Sequence, residues 1–145
     1  MAPDKYDVLG PALNRVGQKI ADIIGADLDG AFLYAEIGEG WVGPSLFKDE
    51  GDRVRYFASL EHGMADVLFD AWEAESPDSD KRWVSMEYEI KGSHFSVRFR
   101  YREEVDPDED SEDRRERILR ARYGDKPVIY PSLPENKGWE LRPEQ

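Results

Sequence analysis

Two runs of strict alternation around a glycine turn constrain this chain more than any other feature. Val84, Met86, Tyr88 and Ile90 alternate with Ser85, Glu87 and Glu89; after Lys91-Gly92, Phe95, Val97, Phe99 and Tyr101 alternate with Ser96, Arg98 and Arg100. A period of two places every second side chain on the same face of a strand. The two runs therefore predict an antiparallel hairpin, one face in a core and the other in water. The outward residues are glutamates on the first strand and arginines on the second. Opposite charges across a ladder contribute about 0.2–1 kcal/mol each, which favours this register without defining a site.

The rest of the chain supplies what such a hairpin needs to pack against. From Asp7 to Ile24, the residues Leu13, Val16, Ile20, Ile23 and Ile24 recur at helical spacing, with Pro11 near the start and Gly25 as a stop. Ala31 to Ile37 reads as a strand covered on both faces, and Trp41 to Phe47 as a second strand after the turn Gly38-Glu39-Gly40. Gly43-Pro44 interrupts that run, so the second strand is expected at a sheet edge or with a bulge. Val54 to Phe57 is a short strand. Ser59 is placed to cap a second helix running to Ala74, with Leu60, Met64, Val67, Leu68, Ala71 and Trp72 as its buried stripe. Ser111 is placed to cap a third helix through Tyr123, ended by Gly124; its acids crowd the N-terminal end and Arg117, Arg120 and Arg122 the other, as the helix dipole favours.

The order helix, strands, helix, hairpin, helix has no pattern demanding a parallel crossover. The expected class is α+β: an antiparallel sheet of four to five strands with helices packed on one face. At 145 residues the chain is one domain. We expect that domain to span 1–124. The Pro-rich tail 125–145 contains Val128, Ile129, Tyr130, Leu133 and Trp139, enough apolar side chains to pack in part on the body.

Charge narrows the function. Lys and Arg number 20 against 32 Asp and Glu, a net charge of −12, which argues against direct nucleic-acid binding because phosphates require a positive surface. The absence of cysteine excludes disulfides, thiol catalysis and thiolate metal sites. No apolar run approaches the ~20 residues of a membrane span, and Met1 to Lys5 carries no export signal. The expectation is a soluble cytoplasmic protein with no membrane contact.

Catalytic patterns fare poorly. His62 and His94 lie in no recognisable nucleophile setting, and there is no His-Glu-x-x-His. Asp106 to Ser111 begins like a calcium loop, yet Ser111 stands where that loop needs glycine and Arg117 where it needs a bidentate glutamate. Pro77-Asp78 with Glu89-Ile90-Lys91 spells the metal-nuclease letters, but a loop and an outward hairpin edge are the wrong places for them. Gly38-x-Gly40-x-x-Gly43 lies between two strands, with no helix N-terminus to receive a pyrophosphate. We therefore expect no catalytic residues, no metal and no cofactor.

The first helix followed by Leu33-Tyr34-Ala35-Glu36 resembles the opening of the YezG-like family of bacterial immunity proteins. The aromatic second strand Trp41 to Phe47, the run Phe95 to Tyr101, the acidic loop and the arginine-bearing helix Arg114 to Tyr123 are similar to that family's pattern as well. The similarity covers Leu13 to Gly124; the long acidic loop and the Pro-rich C-terminus depart from it. The resemblance implies an antitoxin that neutralises the toxic domain of a polymorphic toxin, often a nuclease, and it implies no catalytic residues.

Three functions compete on these grounds: the immunity protein, a generic acidic interaction domain without a toxin partner, and a carboxylate-based enzyme. For the first, the expected partner is a basic protein domain. The candidate partner-binding residues are Glu103, Glu104, Asp106, Asp108, Glu109 and Asp110, expected to be solvent-facing, together with Trp41, Tyr130 and Trp139. A flexible solubilising loop is the competing explanation for the acidic run.

Overall fold

The computed structural model describes residues 5–131. Three α-helices and one six-stranded sheet form a mixed α+β fold. In chain order the elements are α1 (Lys5–Ile24), β1 (Ala31–Gly38), β2 (Trp41–Asp49), β3 (Val54–Phe57), α2 (Met64–Glu75), β4 (Ser85–Lys91), β5 (His94–Arg100), α3 (Ser111–Tyr123) and β6 (Val128–Ile129). The strands lie in the order β5-β4-β1-β2-β3-β6, every pairing antiparallel except the short parallel contact of β6 with β3.

The hairpin forms in the expected register, with Met86 opposite Phe99 and Tyr88 opposite Val97. Its other neighbour is β1, the central strand, where Leu33 pairs Tyr88 on one side and Leu46 of β2 on the other. β1 is buried at every position from Ala31 to Ile37, so both of its faces need cover. Ala31, Leu33, Ala35 and Ile37 share one cluster with Val16 and Ile20 of α1 and Leu68 and Trp72 of α2. Phe32 and Tyr34 share the other with Phe47, Val54 and Ile118 and Leu119 of α3.

The helices therefore lie on both faces of the sheet, not on one as the order of elements suggested. The cause is β1 itself: a strand apolar at consecutive positions leaves two faces to be covered, and α1 and α2 can reach only one. The sheet also gains a sixth strand from the tail, where the Val54 N–H donates to the Pro127 carbonyl at 2.8 Å. Tyr130 lies 5.2 Å, ring to ring, from Tyr56. Leu133 and Trp139 lie outside the described residues.

Two local differences matter for the site. Ser59 does not cap a continuous second helix. A short 3-10 turn, Leu60–His62, comes first, and Gly63 with φ 85° breaks it from α2. Leu60, expected in the buried stripe, is consequently exposed. The outward face of the hairpin is not simply in water either. Arg100 pairs with Glu87, and Arg122 of α3 reaches Glu89, so both glutamates are half-buried. β2 is not an edge strand, since it lies between β1 and β3, but β3 begins pairing with it only at Leu46, which leaves the Trp41–Ser45 stretch open on that side where Pro44 can offer no N–H.

Candidate functional site

Arg114 enters from the first turn of α3 and is buried against the sheet. Its Nη1 donates to Glu36 Oε1 at 2.9 Å, while Nη2 donates to the carbonyls of Asp106 at 2.9 Å and Glu109 at 2.8 Å. On its far side Glu36 accepts from the Tyr34 hydroxyl. The Tyr34 phenol is pushed well above its ordinary value, first by burial and then by the adjoining Glu36. Burial is the largest single influence and works against the charge on Arg114, but the Glu36 hydrogen bond and the attraction of Glu36, Tyr34 and Glu109 together outweigh it and raise the group. A guanidinium this deep is tolerated because both terminal nitrogens meet acceptors, while Nε, which makes no hydrogen bond, lies 3.5 Å from the Glu109 carboxylate.

The same side chain organises the acidic run. Arg102–Glu104 is a 3-10 turn in which the Tyr101 N–H donates to Glu104 Oε1 at 3.0 Å. Asp106 accepts from the Asp108 N–H at 2.9 Å, and Asp110, not Ser111 as expected, stands at the N-cap of α3, with Ser111 its first helical residue. Glu109 takes a two-pronged bond from Arg117, Nε at 3.0 Å and Nη2 at 2.9 Å, which holds its carboxyl below the usual range. Glu109 is thus half-buried and neutralised, not solvent-facing as expected. Glu103, Glu104, Asp106, Asp108 and Asp110 are exposed.

Beside this loop a cleft of about 360 Å³ opens at the end of the sheet where β1 stops and β4 starts. Three tryptophans line it: Trp72 of α2, Trp83 just before β4, and Trp41 at the start of β2. The Trp72 indole donates to the Trp83 carbonyl at 3.0 Å, which locks the inner wall. Val105 and Pro107 bring the acidic loop to the cleft's other side, so Trp41 and the acidic run share one surface. Tyr130 does not join them. It lies at the opposite end of the sheet, by β6, near Lys126 and Tyr123. Trp139 lies outside the described residues.

The discounted chemical patterns stay apart. Asp78 accepts from the Asp80 N–H ahead of β4, whereas Glu89 near the other end of that strand is bonded to Arg122 and Ser96. Among the described residues no group of three or more His, Asp or Glu is placed to hold a metal ion, and no helix is long and apolar enough to cross a membrane.

Sequence reasoning singled out Tyr34 and Glu36 only as letters of a motif, and passed over Arg114, Trp72 and Trp83 as site residues. A signal existed for Glu36: a carboxylate in a strand expected to be buried on both faces requires a cationic partner. Nothing in the sequence named which of the α3 arginines would supply it. Searched against protein-family models and against curated proteins, the chain matches none.

Proposed function

We propose that this chain is an immunity protein: an acidic binding protein that covers the basic surface of a toxin domain, a nuclease domain in the first instance. The observation that carries the reading is the attachment of the acidic loop by Arg114 to Glu36 and to two loop carbonyls. A loop kept only for solubility needs no such fixing, whereas a pre-organised charged edge loses less entropy when it binds. Two of the segments that carry the family resemblance, Leu33-Tyr34-Ala35-Glu36 and the Arg114 helix, meet at this attachment. A nuclease groove is positive because it must hold phosphates. Complementary charge accelerates encounter and selects the partner.

The test is a mixture of the purified chain with the C-terminal toxin domain encoded beside its gene. The expected result is stoichiometric loss of toxin activity, with an association rate that falls as salt rises. Changing Glu103, Asp106, Asp108 and Asp110 to their amides should slow association and flatten that salt dependence. Melting should barely move, because exposed charges contribute only about 0–1 kcal/mol each. A toxin left fully active by an equimolar amount of this protein overturns the reading.

A further inference from the structure

Trp41 is half exposed yet fixed in place. Its indole lies where a side chain on Gly38 would stand, Cε2 being 2.9 Å from the position of a Cβ there. Glycine at 38 thus lets the ring lie across the end of the β1–β2 hairpin and form one wall of the tryptophan cleft. Exposed tryptophans held this way are typical anchors of protein interfaces. Deeper in the cleft, Ser85 is 2% exposed and its hydroxyl has no hydrogen-bond partner among the described residues. The lip carries Glu39 and Asp80.

The charge around the cleft mouth identifies the group it suits. Arg102 stands 3.8 Å from Asp80, with side chains 73% and 79% exposed, a loose pair that another cation can displace. The buried Arg114 is neutralised by Glu36 and Glu109, so Glu39 and a displaceable Asp80 leave the mouth negative.

We propose that the cleft receives a single arginine side chain presented by the protein partner, its guanidinium stacked on Trp41 and paired with Glu39 and Asp80. Arginine suits the site better than lysine because its planar face stacks on an indole while its edge donates to carboxylates. The proposal rests on reading this face as a protein interface, but its test uses no toxin, so the two can fail separately.

The test titrates the ¹⁵N-labelled full chain with N-acetyl-arginine amide, and in parallel with N-acetyl-citrulline amide, which has the same shape without the charge. The Trp41 indole N–H should shift saturably with a millimolar dissociation constant. Citrulline should bind at least about tenfold more weakly. Trp41→Ala should abolish the response of the remaining cleft resonances, and Glu39→Gln with Asp80→Asn should weaken it about fivefold or more. Arg102→Ala should tighten it by freeing Asp80. Equal binding of citrulline, an unchanged response in Trp41→Ala, or no saturable shift up to about 100 mM overturns the proposal. If arginine fails to bind but the toxin is neutralised, the cleft assignment falls and the immunity reading stands; if arginine binds and the toxin stays active, the reverse holds.

Discussion

Arg114 and Glu36, 78 residues apart in the chain, meet at 2.9 Å between the third helix and the central strand. Their side chains are 11% and 10% exposed. That contact does two things at once: it neutralises a carboxylate that a fully buried strand could not otherwise hold, and it ties the acidic loop to the sheet.

Replacing Arg114 with Met strands Glu36 with only the Tyr34 hydroxyl, and should destabilise the fold by about 3–5 kcal/mol in urea unfolding. Adding Glu36→Leu should recover most of that loss, because an apolar pair replaces a buried ionic one at little net cost. The amides of Asp106, Asp108, Glu109 and Asp110 should exchange rapidly in both variants, since the carbonyl anchors are gone in both. A cost below about 1 kcal/mol for the single variant would show that the pair does not carry this load.

Acid should loosen the fold in a defined window. Glu109 is held below its ordinary value by Arg117, Glu89 by Arg122, and Asp49 by the Gly51 N–H and then by Lys126. A depressed folded value gives stabilisation that is complete above the unfolded carboxylate value, about 4, and is lost as pH falls through the folded values. Melting temperature should therefore be level from neutral pH to about 5 and fall steeply below about 4. Glu89→Gln should make that fall shallower. An identical slope in the variant would remove Glu89 from the explanation.

Gly17→Ala should destabilise, although alanine in a helix interior ordinarily gains about 0.5–1 kcal/mol over glycine. A Cβ at position 17 would stand 2.5 Å from the Tyr88 hydroxyl, which itself donates to the Leu13 carbonyl at 2.9 Å. The ring must shift and its buried hydrogen bond must break, at about 1–3 kcal/mol. Tyr88→Phe in the same chain should restore most of the loss, and thermal melts of the three variants decide it.

The two strands of the hairpin should respond unequally to a charge. Met86 on β4 is fully buried, whereas Val97 on the edge strand is half-buried. Met86→Asp should leave the chain largely unfolded, while Val97→Asp should cost about 1–3 kcal/mol because its carboxylate can turn toward water. Equal effects in circular dichroism melts would mean that the edge is covered in solution.

Much of the local structure was legible because it is written in periodicity. The alternation of 84–101 specified the hairpin and its register, and the third helix appeared at Ser111–Tyr123 as its acids and arginines implied. The second helix was misread at its start because Leu60 fits a 3.6 period, yet the positive φ of Gly63 detaches its turn from the helix. The site was legible only in fragments. Trp41 and the acidic run were both noticed, but their shared surface is made by Val105 and Pro107, which carry no chemical signal of their own.

Residue order alone determined the first five strands, the helices apart from the start of α2, the antiparallel hairpin and the excess of negative charge, because each depends on neighbours within a few residues. Tertiary structure alone decided that α3 crosses to the far face of the sheet, that Arg114 rather than Arg117 is buried against Glu36, and that three tryptophans from α2, β2 and the approach to β4 enclose one cleft. Those outcomes depend on which buried surfaces and charges compete for the same partners across the whole chain, and local periodicity carries no information about that competition.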